Sequence, residues 1–137
     1  ISLNDVICAT DDIAVAGTYP LRTCTIEDII AEKLRALLQQ PVRRRNRPQD
    51  LLDIAVCLQE VPRHVINREK VGAFLLQKAA ARDVPVSIAA FHSKELMTSA
   101  KVGYNELQHT TRTAFISFED ALAGLYELVS TLPVPTQ

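Results

Sequence analysis

The first strong pattern of apolar positions in the chain lies between residues 26 and 38. Apolar side chains recur there every three or four residues, which places them on one face of a helix at about 100° per residue: Ile26, Ile29, Ile30, Leu34, Leu37 and Leu38. Thr25 followed by Asp28 resembles an N-terminal capping box, and Pro41 is a helix-ending residue. The pattern therefore predicts a helix over 26–39.

One charged residue lies within this apolar face. Lys33 comes four residues after Ile29 and four before Leu37, so it shares their side of the helix. Arg35, two positions further on, is expected on the opposite side, exposed to solvent. Burial of an unpaired ammonium is unfavourable, so Lys33 must extend to solvent, lose its proton or find an anion.

Four more helices are predicted by caps and breakers. Pro48 suits the first turn of a helix over about 48–60, and Asn67 can cap one over about 67–82. Ser93 can cap a helix over about 94–109, and Ser117 a last one that ends near residue 132. The segment "PVSIAAF", residues 85–91, is ambiguous between an extended piece and a helix start.

Residues 1–24 have a different pattern. "DVICA" is a short apolar run that includes β-branched residues, and "GTYPLRT" alternates loosely, so one or two short strands are predicted. Two strands alone are marginal in water, and we interpret them as the edge of a truncated sheet that lies mostly upstream. The predicted fold is mainly α: a helical domain over 25–137, formed as a bundle, with a short N-terminal β segment over 1–24.

The second predicted helix carries two carboxylates that can meet Lys33. Asp50 and Asp53 are three residues apart and share one side of that helix, with Cys57 continuing the line. An antiparallel pairing of the first two helices would bring these carboxylates to the ammonium of Lys33. Two interpretations stay open at this point: a functional site, or a buried salt bridge that only holds two helices together.

Composition and charge narrow the class of protein. The chain has 137 residues, 47% hydrophobic and 23% charged, as expected for one globular domain. Its net charge of −1 gives no general support for a nucleic-acid or membrane partner, and no apolar stretch is long enough to span a bilayer. The three cysteines match neither a zinc pattern nor a disulfide framework, which favours a reducing cytoplasm. No metal-ligand set is predicted.

A cluster of arginines separates the first two helices. Arg43, Arg44, Arg45 and Arg47 all lie in the segment "PVRRRNRP". One interpretation is a solvated turn without a specific role. The other is a contact with phosphate groups or with RNA, because guanidinium groups bind phosphate well.

The two motifs on either side of this loop resemble the AbiEii/AbiGii family of nucleotidyltransferase toxins. The first is Ala31-Glu32-Lys33-Leu34-Arg35-Ala36-Leu37, and the second is Arg47-Pro48-Gln49-Asp50-Leu51-Leu52-Asp53. The resemblance covers residues 25–60 best and extends more loosely to "FHSKEL" and "SFEDALAGLYELVSTL". It implies that the chain is the C-terminal part of an α/β nucleotidyltransferase fold.

The resemblance also implies a reaction and roles for residues. A nucleotidyl group would pass from an NTP to an RNA or protein acceptor, in a toxin–antitoxin or phage-defence system with a cognate antitoxin. Lys33 would contact nucleotide phosphates, and Asp50 or Asp53 would assist near the nucleotide or the acceptor, which makes Lys33, Asp50 and Asp53 the candidate catalytic residues. Beside them, Arg47 is a candidate phosphate contact, and Arg43, Arg44 and Arg45 are the candidate nucleic-acid contacts. Mg²⁺ and NTP are expected for the complete protein, with no cofactor bound tightly to this chain.

The sequence departs from the family pattern in one respect. The family's metal site comes from an upstream Gly-Ser motif and acidic strand residues, and residues 1–24 do not supply them, since Asp11 and Asp12 are adjacent in a loop-like setting. We therefore expect this chain alone to be inactive. The alternative hypothesis is a non-catalytic helical module that binds RNA or a protein partner.

Overall fold

The structure is a computed structural model that describes residues 25–44, 46–110 and 115–137. These residues are mainly helical, which confirms the predicted class for this part of the chain, and no strand is found among them. The predicted β segment over 1–24 lies outside the described residues. The helices are α1 (Ile26–Arg43), α2 (Pro48–Glu60), α3 (Arg68–Ala80), α4 (Ile88–Phe91), α5 (Lys94–Lys101), α6 (Leu107–Thr110) and α7 (Phe118–Ser130), with a 3₁₀ turn at Arg63–Val65.

Polar caps begin α1, α3, α5 and α7 at the predicted places. The Thr25 hydroxyl accepts a hydrogen bond from the Asp28 amide at 3.2 Å, and the Asn67 side chain accepts one from the Lys70 amide at 3.1 Å. Ser93 and Ser117 act in the same way at the starts of α5 and α7. Each cap satisfies one backbone N–H that the helix itself leaves unpaired, which fixes where the helix begins.

The first helix is longer than predicted. We expected it to end before Pro41, but α1 continues through Pro41 to Arg43. Proline this close to a C-terminus removes a single intrahelical hydrogen bond, which the remaining turns tolerate. Arg44 then ends the helix in a left-handed conformation with φ of 53°, and its amide donates to the carbonyls of Gln40 and Pro41. The additional turn brings Gln40 into the helix.

The helix predicted over 94–109 is interrupted. Helix α5 ends at Lys101, and α6 is a separate short helix beginning at Leu107. Gly103 lies between them with φ of +77°, a conformation that glycine adopts without a steric cost and that cannot continue a helix. The ambiguous segment at 85–91 forms the short helix α4 rather than a strand.

Helix α1 lies at the centre of the described bundle. It packs against α3, α2 and α5, and α2 packs in turn against α7. The largest fully buried aliphatic side chains come from these helices: Ile30, Leu34, Leu37, Leu51, Leu52, Ile54, Leu75, Leu96, Leu125 and Leu128. Burial of each contributes about 1.5–3 kcal/mol relative to exposure. The positions of α1 and α2 are therefore set by a continuous apolar core.

The prediction that Arg35 is solvated was wrong. Arg35 is buried and bonds to Glu32 and Gln39 of the same helix. Its side of α1 faces α3, since Asp28 and Glu32 both pair with Lys78 of that helix. A single apolar face identifies one packed side of a helix, whereas α1 is surrounded on several sides.

The C-terminal segment lies against two other parts of the bundle. A Cβ atom on Gly72 in α3 would be 2.7 Å from Cδ of Pro133, so only glycine permits this approach. The amides of Ile88 and Ala89 donate to the carbonyls of Pro135 and Thr136 at 2.8 and 2.9 Å. These contacts fix residues 133–136 to α3 and to the start of α4.

Candidate functional site

Lys33 and two carboxylates form an ion cluster between α1 and α2, which we call the Lys33 cluster (Lys33, Asp50 and Asp53). The Lys33 Nζ atom is 2.9 Å from Oδ2 of Asp53 and 3.7 Å from Oδ1 of Asp50. The side chains of Lys33 and Asp53 are 29% and 31% exposed, whereas that of Asp50 is 1% exposed. The predicted contact is therefore present, and the lysine in the apolar face is accounted for by these anions.

Asp50 is the deeply buried member of the cluster. Burial raises the pKa of its carboxyl group above the ordinary value, because the charged form loses hydration. The charges of Lys33 and Arg47 and a hydrogen bond from Gln40 oppose this increase, and the charge of Asp53 adds to it. The net pKa is raised, so desolvation outweighs the favourable contacts and the ionised carboxylate is held in an unfavourable environment.

Gln40 is a member of this site that the sequence analysis did not identify. Its Nε2 atom donates to Oδ2 of Asp50 at 3.1 Å, from a side chain that is almost completely buried. Gln40 follows Lys33 by seven residues, which is two helical turns, so both project toward α2. That spacing would have indicated the contact had the helix been predicted to extend past Pro41.

Two further side chains border Asp53. The Nε2 atom of Gln49 donates to Oδ1 of Asp53 at 2.8 Å and holds that carboxylate against α2. Cys57, one turn beyond Asp53, is half-buried, and burial followed by the charge of Asp53 raises the pKa of its thiol. A raised pKa keeps the sulfur protonated at neutral pH, so Cys57 lacks the features of a nucleophile.

The arginine segment lies beside the cluster and is exposed. Arg47 begins α2; its side chain is 57% exposed, with Nε 3.9 Å from Oδ2 of Asp50. Arg43 and Arg44 are exposed at the end of α1, and Arg45 lies outside the described residues. The structure thus places Arg47 with the Lys33 cluster and leaves Arg43 and Arg44 facing solvent.

The arrangement does not fit a metal ion. Across residues 25–44, 46–110 and 115–137, no three His, Cys, Asp or Glu side chains lie close enough together to hold one. Asp50 and Asp53 both face the ammonium of Lys33, which takes the place that a cation would need.

The geometry and the motifs that carry it can be compared with known proteins. A family model described as "Nucleotidyl transferase AbiEii toxin, Type IV TA system" matches residues 3–124. The chain belongs to the AbiEii family. The match extends well beyond residues 25–60, where the resemblance was best, and it includes most of residues 1–24. No curated protein and no solved structure matches the chain significantly.

Membership of this family gives the Lys33 cluster a chemical context. AbiEii proteins are described as nucleotidyltransferase toxins of toxin–antitoxin systems. Both halves of the cluster lie within the matched range, on α1 and on α2.

In the described part of the chain, no helix has the length and apolar character needed to cross a membrane.

Proposed function

We propose that this AbiEii protein acts in a nucleotidyltransferase reaction, in which a nucleotidyl group passes from an NTP to an RNA or protein acceptor. The observation that carries the proposal is the Lys33 cluster, because it holds an ammonium at the edge of the helix pair where solvent still reaches it. The setting would be a toxin–antitoxin or phage-defence system in the cytoplasm, with a cognate antitoxin protein as partner.

In this proposal Lys33 binds the phosphates of the nucleotide. The ammonium carries three donors on a flexible stem, and Asp53 is partly exposed, so a phosphate oxygen can approach the same group from the solvent side. Negative charge shifts toward the leaving phosphates during transfer, and a fixed cation nearby stabilises that change. Asp50 and Asp53 keep the ammonium in place before the nucleotide arrives.

Arg47 supplies a second positive charge next to the cluster. Its guanidinium group is mostly exposed and lies on the Asp50 side, so a phosphate chain can contact Lys33 and Arg47 together. Either Asp50 or Asp53 then assists the reaction near the nucleotide or the acceptor. Positioning of this kind accounts for much of the catalysis in phosphoryl transfer.

The exposed arginines support an RNA contact. Arg43 and Arg44 face solvent beside the proposed nucleotide site, and Arg45 lies between them and Arg47 in sequence. The same observation favours the second candidate function, a non-catalytic module that binds RNA. Replacing Arg43 and Arg44 by serine should reduce the salt dependence of RNA binding by about one unit of slope for each phosphate that the variant no longer neutralises.

Labelled NTPs test the proposed reaction directly. The complete protein, supplied with Mg²⁺ and each labelled NTP in turn, should label an RNA or protein acceptor, whereas residues 1–137 alone should not. Addition of the upstream segment, fused or separate, should restore labelling. RNA binding without any labelling by the complete protein would replace the proposed function by the non-catalytic one. Strong labelling by residues 1–137 would contradict the expectation that this chain alone is inactive.

A further inference from the structure

Gln40 connects the Lys33 cluster to the backbone at the start of α2. Besides donating to Asp50, its Nε2 atom donates to the carbonyl oxygen of Arg47 at 2.9 Å. Its Oε1 atom accepts a hydrogen bond from the amide of Arg47 at 3.2 Å. The side-chain amide therefore pairs with both polar groups of one backbone residue while it holds the carboxylate. Gln40 is 3% exposed, so water competes weakly for these contacts.

These hydrogen bonds fix the backbone of the residue that precedes the first turn of α2. Arg47 occupies the N-cap position of α2, and its own side chain makes no capping hydrogen bond. Gln40 fixes the Arg47 backbone from the neighbouring helix instead, and Asp50 lies three residues further along, in the first turn. With Oδ2 of Asp50 held by Gln40, its other oxygen, Oδ1, is the one that faces Lys33.

We propose that Gln40 is a positioning residue for the nucleotide site: it orients Asp50 toward Lys33 and fixes the backbone of Arg47 in the same contact. The inference rests on the proposed function for its catalytic consequence. A side-chain amide suits this task because it donates and accepts at once, whereas a carboxylate would repel Asp50 and a hydroxyl would not reach both groups.

The neighbouring Gln39 is a matched control. It has the same side chain, lies on the same helix and is 6% exposed. Its Oε1 atom accepts from Arg35 on another side of α1, away from the Lys33 cluster. Gln40→Met and Gln39→Met both remove a buried amide and keep most of the side-chain volume, so a general loss of packing should affect them equally.

The first test measures Asp50 itself. NMR titration of the Asp50 carboxyl in this chain should give a higher pKa in Gln40→Met than in the parent, because that variant lacks a hydrogen bond to the charged form. Gln39→Met should leave that pKa unchanged. This measurement requires no nucleotidyl transfer, so it tests the hold of Gln40 on Asp50 even if the proposed function fails.

The second test measures transfer by the complete protein. In Gln40→Met, kcat should fall by about 10- to 100-fold, as is typical when a residue that supports a site is removed. The KM for NTP should rise as well, because Lys33 and Arg47, the proposed phosphate contacts, lose part of the support that Gln40 gives them. Gln39→Met should keep kcat near that of the parent after correction for the folded fraction.

Gln40→Glu provides a variant of nearly identical shape. It keeps an acceptor for the Arg47 amide but adds a negative charge among the charged groups already there, which are Asp50, Asp53, Lys33 and Arg47. Its kcat relative to the parent should be lowest above neutral pH. The ratio should recover as the pH falls, because the protonated carboxyl can donate to Asp50.

The outcomes separate positioning from packing. Equal losses of melting temperature and of kcat in Gln40→Met and Gln39→Met would overturn the proposal, as would an unchanged pKa of Asp50 in Gln40→Met. If Gln40→Met fails to fold, a flat pH profile of the kcat ratio for Gln40→Glu would overturn it instead. An absence of transfer by the parent protein would contradict the proposed function alone.

Discussion

Helix α1 takes part in two ion clusters on different sides, and they differ in how deeply they bury a carboxylate. The Lys33 cluster faces α2 and includes Asp50, which is 1% exposed. The second, which we call the Lys78 cluster (Asp28, Glu32 and Lys78), faces α3. Its Lys78 Nζ atom is 3.8 Å from Asp28 and 3.7 Å from Glu32, and its side chains are 14 to 20% exposed.

This difference bears on why Asp50 is buried. The Lys78 cluster shows that α1 can be ion-paired to a neighbouring helix without a fully buried carboxylate. An ionised group at the depth of Asp50 is unfavourable to folding even with partners, and apolar replacements of such pairs are often more stable. Residues kept in such environments with shifted pKa values are concentrated at functional sites. The comparison is therefore consistent with the proposed role of the Lys33 cluster.

The largest expected difference between the clusters is in nucleotidyl transfer. Lys33→Met in the complete protein should reduce transfer by about 100-fold or more, comparable to the loss of one fixed donor at a developing negative charge. Toxicity to the host cell should disappear with it. Lys78→Met should leave transfer near the parent level, because Lys78 lies on α3, away from α2. Labelled-NTP assays and growth curves measure both.

Thermal melts must accompany these assays. A folded Lys33→Met protein that still transfers nucleotides and poisons its host would remove Lys33 from the catalytic residues. Lys33→Arg should restore activity only in part, because the planar guanidinium group differs in shape from a compact ammonium. Full rescue by arginine would indicate that charge alone matters at this position.

The next largest difference between the two clusters is expected in their contributions to the free energy of unfolding. Lys33→Met alone should lower the free energy of unfolding by about 1–2 kcal/mol, less than for a fully buried pair because Lys33 is partly exposed. Adding Asp50→Asn and Asp53→Asn should restore or exceed the parent stability, since no uncompensated charge then remains. Chemical denaturation of the parent, Lys33→Met and the triple variant measures these free energies. If the triple variant were less stable than Lys33→Met alone, the carboxylates would contribute to folding in ways other than by pairing with Lys33.

The raised pKa of Asp50 predicts a specific pH dependence. A carboxyl with a higher pKa in the folded state binds its proton more tightly there, so its contribution to stability decreases as the pH rises from below 3.8, its ordinary pKa, through the folded-state value. Asp50→Asn removes that contribution. The free energy of unfolding of the variant relative to the parent should therefore increase across this interval and level off above it.

Measurements well below pH 3.8 provide the internal control, because Asp50 is then protonated in both folded and unfolded chains. A relative stability that declined with rising pH would mean that Lys33 and Arg47 outweigh desolvation. The inferred environment of Asp50 would then be incorrect. Loss of transfer in a stable Asp50→Asn protein would show that the carboxylate is needed for the reaction and not for folding.

The smallest effect is expected in the Lys78 cluster. Lys78→Met should change the free energy of unfolding by less than about 1 kcal/mol, since its contacts are long and Glu32 keeps its ion pair with Arg35. Urea denaturation at low and high salt measures this, and the small effect should shrink further at high salt. A larger loss would mean that the two clusters contribute similarly to stability, and the contrast between them would not hold.

The sequence predicted the Lys33 cluster because every member lies on a regular helix. Periodicity alone placed Lys33 among apolar residues and put Asp50 and Asp53 on one side of the next helix. Arg35 was predicted wrongly because a helical pattern shows how side chains are arranged around one helix and not how many neighbours surround it. The pattern does not indicate Gln40, because Pro41 predicts an earlier end of α1 than the structure shows. The helix break at Gly103 depends on a backbone conformation that residue patterns indicate only weakly.

The contacts of residues 133–136 determine where the protein can be shortened without loss of its fold. The family match stops at residue 124, inside α7 (Phe118–Ser130), while the packing continues to the carbonyl of Thr136. A protein cut at the border of the match would lose half of α7 and the segment that rests on Gly72. The segment that matches the family is therefore shorter than the segment that packs as one folded unit.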